Sequence, residues 1–288
     1  MIKLFKDVFK HFFKNNTFQK GAALAYYSVF SLIPMIMIIS SVLGIFFGKE
    51  AVSGEIHDQL KSTLGDQASL QIQNFIRNQK TSHNSIWTAI IGFITLAFSA
   101  SGLFSQLHKA FNSIWSLQSK PKNSILNYFI LHFGSIVILI GLFSIIILST
   151  FISSFLTSNI SSLNFNYRGL FIYEHITSLF VLIIIFSIMF KYLGDAIIHW
   201  KPVIYGGIFT AFLFMIGKIG IGVYVGHSHI SSTFGTASVL ALIMIWVYYT
   251  SQIIFLGAAF VEVLSKRMGY QIEPNKNAVK IEQVEVLE

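Results

Sequence analysis

The chain has 288 residues, of which 54% are hydrophobic and only 11% are charged, and its formal net charge is +8. Soluble domains carry about 25% charged residues, so this composition indicates that lipid solvates much of the surface. The absence of cysteine excludes disulfides, thiolate metal sites and a cysteine nucleophile.

The first twenty residues have the pattern of an amphipathic helix. Apolar and basic side chains recur at helical spacing on adjoining faces, the first set being Ile2, Phe5, Val8, Phe9, Phe12 and Phe13 and the second Lys3, Lys6, Lys10 and Lys14. Residues 1–20 are therefore predicted to form a cytoplasmic helix that lies in the headgroup layer of a membrane. A helix packed under a helical bundle is the alternative.

Six apolar stretches approach or exceed the length of about 20 residues that crosses a bilayer. They predict an all-α fold, a transmembrane bundle with spans at about 21–48, 86–107, 125–150, 176–190, 202–226 and 237–261. Residues 49–85 are expected to form two short helices outside the membrane, which either cap a cavity or link two spans. The tail, 269–288, is predicted to be cytoplasmic and either disordered or loosely helical.

The distribution of basic residues predicts the orientation. With the N-terminus in the cytoplasm, fourteen of the 20 lysines and arginines lie in inside segments. The positive-inside bias therefore predicts that both termini lie in the cytoplasm. A basic excess in such a chain sets orientation more often than it binds nucleic acid, so no nucleic-acid partner is expected.

Lys218 is the clearest ionisable residue inside a predicted span. Charged residues within spans are costly, and each one is a functional hypothesis. Its ammonium is predicted to face an outward cavity and meet an anionic group, such as a lipid phosphate. The alternative is that the long side chain reaches the outer interface without any binding role.

Polar residues also occur in the inner halves of the first two spans. A cytoplasm-side vestibule and hydrogen bonding between helices explain them equally well; they are Tyr26, Tyr27, Ser28, Ser31, Ser99, Ser101 and Gln106. At the cytoplasmic end of the last span, Glu262 is expected to pair with Lys109, with Lys191 or Lys201, or with a protonated Asp195.

Small residues and one proline mark positions of close helix packing or bending. Close packing is the commoner use of such residues in membrane bundles, and bending during transport is the alternative. The positions are Pro34, Gly44, Gly48, Gly217, Gly222 and Gly226.

Sequence signals for catalysis are weak. No zinc-protease, nucleophile-elbow, phosphate-loop or dinucleotide-binding motif occurs, and the acidic residues do not cluster as a two-metal site requires. We assign no catalytic, cofactor-binding or metal-binding residue, and we expect the protein not to be an enzyme.

Three segments resemble the YihY/BrkB family of bacterial inner-membrane proteins. They are GAALAYYSVFSLIPMIMI (21–38), SASGLFSQLHKAFNSIW (99–115), and YGGIFTAFLFMIGKIGIGVYV with FGTASVLALIMIWVYYTSQIIFLGAAFVEV (205–263). The resemblance implies a six-helix inner-membrane protein, and it links relatives to serum resistance and to lipid or envelope export. An older family label, ribonuclease BN, is not carried over because a metal-ligand cluster is lacking.

These observations favour a transporter or flippase-like exporter of an amphiphilic envelope component. A non-transporting scaffold for envelope proteins is the first alternative, and a membrane-bound hydrolase or nuclease is the second. The expected partners are the lipid bilayer and a lipid or amphiphile substrate, and a homo-oligomer is compatible with the sequence.

Overall fold

The computed structural model describes residues 2–30, 70, 102–120, 167–227 and 237–281, with only the backbone for 167–174, 222–227 and 237–239. The chain divides into two compact units. The first unit comprises Met1–Thr17, Leu107–Met215 and Ile253–Glu288, and the second comprises Phe18–Gln106 and Ile216–Gln252.

Helices dominate the described residues, which confirms the all-α prediction. The helices are α1 (Ile2–Lys14), α2 (17–30), α3 (102–114), α4 (Tyr167–Tyr192), α5 (Trp200–His227) and α6 (Ala237–Arg267). The described part of the chain also contains four short strands, β1 (Leu117–Ser119), β2 (Ala196–Ile197), β3 (Glu273–Pro274) and β4 (Ala278–Lys280).

Within the described ranges, three helices are long and apolar enough to cross a membrane. Their spanning segments are His175–Tyr192, Trp200–Ile221 and Leu240–Arg267, close to the predicted spans 176–190, 202–226 and 237–261. The spans 21–48 and 86–107 are described only where 17–30 and 102–114 are helical. The span 125–150 and, apart from residue 70, the segment 49–85 lie outside the described residues.

An apolar stripe on α5 is exposed, as expected for a surface that faces lipid. Residues at a spacing of three or four along this helix are uncovered, and they are Ile204, Ile208, Phe212, Ile216 and Ile219. Where α4 ends and α5 begins, Tyr192 and Trp200 pack edge to face with their ring centroids 6.2 Å apart, and the Lys191 ammonium lies 5.5 Å from the Trp200 ring. Aromatic and basic side chains of this kind are typical of a membrane–water interface.

Helix α1 is shorter than the predicted segment 1–20. It ends at Lys14, and Asn16 has a positive φ of 50°, a conformation that asparagine tolerates better than most residues. The chain then turns into α2. Val8 and Phe12 of α1 are buried in the first unit, so one face of this helix packs against protein.

A second face of α1 remains uncovered. Its exposed apolar residues are Ile2, Phe5, Phe9 and Phe13. The lysines predicted to lie beside this face, Lys3, Lys6, Lys10 and Lys14, are also exposed. The helix therefore combines a packed face with the amphipathic surface that the sequence predicts.

The C-terminal segment is ordered as far as Ile281, contrary to the prediction of a disordered or loosely helical tail. β4 pairs antiparallel with β1, with Lys280 opposite Leu117, and β3 pairs with β2. These backbone hydrogen bonds join the tail to two loops of the first unit, and the side chain of Ile272 is buried. Long-range pairing of this kind leaves no local periodicity in the sequence, which explains the wrong prediction.

Helix α6 ends where the sequence provides a glycine. Gly269 has a positive φ of 77°, and its N–H donates to the carbonyl of Lys266 at 3.3 Å. The N–H of Tyr270 donates to the carbonyl of Ser265 at 2.9 Å. This hydrogen-bond pair is a Schellman motif, which ends the helix and turns the chain toward β3.

Candidate functional site

A buried carboxylate joins four segments of the first unit. Asp195, in the loop between α4 and α5, accepts hydrogen bonds at Oδ2 from Asn112 Nδ2 at 2.8 Å and Ser119 Oγ at 2.6 Å. His108 Nε2 lies 3.3 Å from the same oxygen, and Asn275 Nδ2 donates to Oδ1 at 3.2 Å. The backbone N–H of Asp195 donates to Asn112 Oδ1 at 2.8 Å.

The surroundings of Asp195 favour its charged form. Burial raises the pKa of this carboxyl, but the hydrogen bonds from His108, Ser119 and Asn112, together with the charge of His108, more than offset burial. The pKa of Asp195 therefore lies below its ordinary value, and the group is a carboxylate at neutral pH. A satisfied buried anion of this kind fixes the relative positions of the segments that donate to it.

A second buried carboxylate lies near the end of α6. Glu262 Oε1 accepts a hydrogen bond from Lys266 Nζ at 2.6 Å, and Oε2 lies 2.5 Å from His11 Nε2. His11 Nε2 also lies 2.7 Å from the carbonyl oxygen of Ile114. Because a single N–H points well at only one acceptor, Oε2 of Glu262 lacks a well-aligned hydrogen bond among the described residues.

Charged contacts hold α1 on the end of α6. Besides the contact between His11 and Glu262, Arg267 Nη2 donates to Asp7 Oδ2 at 2.6 Å, and both of these side chains are partly exposed. The two contacts lie one helical turn apart on α1, and they bring the N-terminal helix and the last span together within the first unit.

Trp115 lies at the end of α3 and is almost completely buried. Its Nε1–H donates to the carbonyl of Ala258 at 3.2 Å, and its ring centroid is 5.1 Å from that of Phe111. A Cβ at Gly194 would overlap the indole ring, so the loop that carries Asp195 reaches its position only because residue 194 has no side chain.

The predicted partners of Glu262, which were Lys109, Lys191, Lys201 and Asp195, are wrong. Glu262 meets His11 and Lys266, Asp195 meets His108, and Lys109 is exposed on α3. The partners differ because the fold brings α1 to the end of α6, and because the i, i+4 spacing already places Lys266 beside Glu262.

Five of the predicted cavity residues are described in the second unit, in different environments. Lys218 and Tyr26 are exposed, Tyr27 and Gln106 are half-buried, and Ser28 is buried. Ser28 Oγ donates to the carbonyl of Ala25 on its own helix at 2.8 Å. A Cβ at Gly102 would lie 2.9 Å from Tyr27 Cδ1, so α2 and α3 approach closely there. Ser31, Ser99 and Ser101 lie outside the described residues.

The predicted packing residues are described in part. A Cβ at Gly217 would overlap the ring of Tyr249, so α5 and α6 approach closely at this glycine. Gly222 and Gly226 are helical. Pro34, Gly44 and Gly48 lie outside the described residues, and their roles stay predictions.

Sequence reasoning did not single out the side chains that surround the two buried carboxylates. His11, His108, Ser119 and Asn275 come from four separate segments. The one available signal was Asn112, which lies with Trp115 in the second family-like segment. Within the described ranges, no three His, Asp or Glu side chains converge as a metal site would need.

Known proteins are similar to this chain over nearly its whole length. It is 24% identical to a UPF0761 membrane protein of Saccharophagus degradans over 93% of this chain and 60% of the relative. It is 25% identical to one from Pseudoalteromonas atlantica over 96% of this chain and 92% of the relative. A Haemophilus influenzae protein of the same description is 25% identical, with coverage of 92% and 95%.

Relatives of two lengths occur among these matches. The chain spans 60% of the Saccharophagus degradans protein and 45% of a Psychrobacter relative, whereas it spans most of the Pseudoalteromonas and Haemophilus proteins. No solved structure matches it significantly. The family model described as virulence factor BrkB matches residues 8–282, a range that includes both buried carboxylates and all three long apolar helices. The chain therefore belongs to the BrkB family of integral membrane proteins.

Proposed function

We propose that this protein carries an anionic amphiphile across the membrane and that Lys218 contacts the charged head group. The observation that carries the proposal is the position of this lysine. It lies within the spanning segment Trp200–Ile221, and its side chain is exposed between the exposed apolar residues Ile216 and Ile219.

Lys218 lies toward the far end of the spanning segment, close to the level of the lipid head groups, because the apolar core is about 30 Å thick. It is eighteen residues beyond Trp200, which corresponds to about 27 Å along the helix. An ammonium at an apolar helix surface is costly unless an anion or water compensates it. In the described part of the chain, no carboxylate lies within ion-pairing distance of Lys218, so a ligand's anionic group is the complement that this position favours.

The packing next to Lys218 supports a fixed presentation of its side chain. Gly217 is covered by the ring of Tyr249, which keeps α5 against α6 at this level. One residue later, about 100° around the helix, Lys218 lies on a different face. Its ammonium is therefore directed away from the α5–α6 contact.

The test compares lipid movement in proteoliposomes made with the wild type, Lys218→Met and Lys218→Arg. The measured quantity is the initial rate at which fluorescent phosphatidylglycerol reaches the outer leaflet, where a chemical reductant destroys its fluorescence. Fluorescent phosphatidylcholine is the zwitterionic comparison. Lys218→Met should lower the rate at which the anionic probe moves by about tenfold or more, because it removes one charge-assisted hydrogen bond. Lys218→Arg should retain most of the rate because it keeps the charge.

Lys201→Met is the matched control, since Lys201 is also an exposed lysine of α5 but lies at its first turn. It should move both probes at the wild-type rate. Equal rates for the wild type and Lys218→Met would refute the proposed role of Lys218 and support side-chain snorkelling instead.

A non-transporting scaffold for envelope proteins is the second candidate function. The ordered end of the first unit favours it, because the two strand pairs and the network around Asp195 form a fixed surface. This candidate predicts that the wild type moves neither probe faster than protein-free liposomes do.

A further inference from the structure

A cavity of about 180 Å³ lies in the first unit beside the end of α6. Residues from α6, from the C-terminal segment and from the end of α3 line it, and they are Trp115, Glu262, Lys266, Gln271, Ile272 and Lys280. The pairing of β4 with β1 places Lys280 at this position. Its lining does not include Lys218, and binding there does not require transport.

The lining has an excess of positive charge. Two ammonium groups, of Lys266 and Lys280, face one carboxylate, of Glu262. Lys266 is bound to Glu262 at 2.6 Å, but an ammonium has three N–H donors, so two of them remain for another acceptor. No carboxylate in the described ranges lies within ion-pairing distance of Lys280.

The other walls combine apolar surface with one amide. The indole N–H of Trp115 is already used by the carbonyl of Ala258, so its ring contributes apolar surface to the cavity. Ile272 is buried and adds more of it. Gln271 is exposed and provides N–H donors. Such walls suit a ligand with an anionic end and a short carbon chain.

We propose that this cavity binds a single phosphate group, carried either by a small soluble molecule or by a lipid head group. Lysines are common phosphate ligands, acting as point charges. Glu262 leaves the lining with a formal charge of only +1, which favours one phosphate over a polyphosphate. The same carboxylate holds Lys266 in place beside the cavity.

The experiment uses the full chain in phosphatidylcholine nanodiscs and two probes. Isothermal titration calorimetry measures the binding of glycerol 3-phosphate, the soluble probe. Native mass spectrometry counts the phosphatidic acid molecules that the protein retains from nanodiscs containing this lipid. Lys280→Gln should weaken the binding of glycerol 3-phosphate, or reduce the retention of phosphatidic acid, by about tenfold, as expected for one lost charge-assisted hydrogen bond.

Lys276→Gln is the control, because Lys276 is exposed on the same segment and does not line the cavity. It should bind both probes as the wild type does. Lys280→Arg keeps the charge and should recover most of the affinity, which separates loss of the site from loss of the fold. Lys280-dependent binding of glycerol 3-phosphate indicates a soluble ligand, and Lys280-dependent binding of phosphatidic acid alone indicates a lipid.

The proposal is overturned if the wild type binds neither probe, or if Lys280→Gln binds both as well as the wild type and the Lys276→Gln control. These outcomes are independent of lipid movement, because they concern a different lysine and use binding as the readout. Failure here would leave the role of Lys218 unaffected, and failure of the Lys218 experiment would leave this site unaffected.

Discussion

At the level of single residues, Asp195 shows how the first unit stabilises a buried charged side chain. An isolated buried carboxylate is strongly unfavourable, and only complete hydrogen bonding makes it tolerable. Asn112, Ser119 and Asn275 supply those hydrogen bonds, and His108 lies beside them. Because the donors come from separate segments, the loss of this one side chain should loosen several of them together.

The substitution Asp195→Asn should lower the free energy of unfolding by about 3 kcal/mol, since it leaves buried donors without their charged acceptor. Chemical unfolding in detergent at neutral pH, followed by tryptophan fluorescence, measures the change. Lys109→Gln, at an exposed position on α3, is the control and should change the stability by less than about 0.5 kcal/mol.

The same carboxylate predicts a pH dependence. Its pKa is lower in the folded state than the ordinary 3.8, so its contribution is fully present above pH 3.8 and is lost as the pH falls toward the folded value. Below about pH 4 the wild type should therefore lose stability more steeply than Asp195→Asn does. Parallel stability curves for the two proteins between pH 6 and pH 3 would contradict this explanation.

At the level of helices, close approach depends on residues without side chains. A Cβ at Gly257 of α6 would overlap Thr210 Oγ1 and would lie 2.8 Å from Phe190 Cζ. A Cβ at Gly206 of α5 would overlap Val261. Helices α4, α5 and α6 therefore pack in the first unit through small residues, as is common where lipid removes the hydrophobic driving force between helices.

Gly257→Ala should destabilise the protein by about 1–3 kcal/mol, because Thr210 has a short, stiff side chain and Phe190 is buried. Gly220→Ala is the matched control on α5, where an added Cβ meets nothing within 4 Å. It should be neutral or slightly stabilising, given the better helix propensity of alanine. The thermal midpoints of the two variants in one detergent test this difference, and equal midpoints would show that the glycine contact tolerates a methyl group.

At the scale of the whole molecule, four basic segments meet within the first unit. Helix α1 contacts α6 through Asp7 and Arg267, and the C-terminal strands pair with the loops after α3 and α4. Segments in such contact lie on one side of a membrane. An even number of spans should therefore separate the two termini, and the positive-inside bias predicts that their side is the cytoplasm.

The natural absence of cysteine allows this topology to be tested with single substitutions. Lys3→Cys and Lys276→Cys should react with a membrane-impermeant maleimide in inverted vesicles and stay unlabelled in right-side-out vesicles. Lys49→Cys, in the segment predicted to be outside, should show the reverse. Labelling of the two terminal positions from opposite sides would refute the even number of spans.

The sequence by itself determined that the apolar segments lie in lipid, that the fold is all-α, and which family the chain resembles. Continuous apolar stretches of span length require helices in lipid, because every backbone polar group there must be satisfied within the helix. Local signals also marked the amphipathic face of α1, and Gly269 lies where α6 is capped. These features depend on neighbours a few residues apart, so periodicity and composition are enough to predict them.

Only the tertiary structure decided which polar groups meet. Asp195 is 83 residues from Asn112 and 80 from Asn275 along the chain, and no periodic pattern connects such positions. The same is true of His11 with Glu262 and of the strands formed by the tail. Local periodicity reports which face of a segment is apolar, whereas the pairing of distant polar groups follows from how the segments pack.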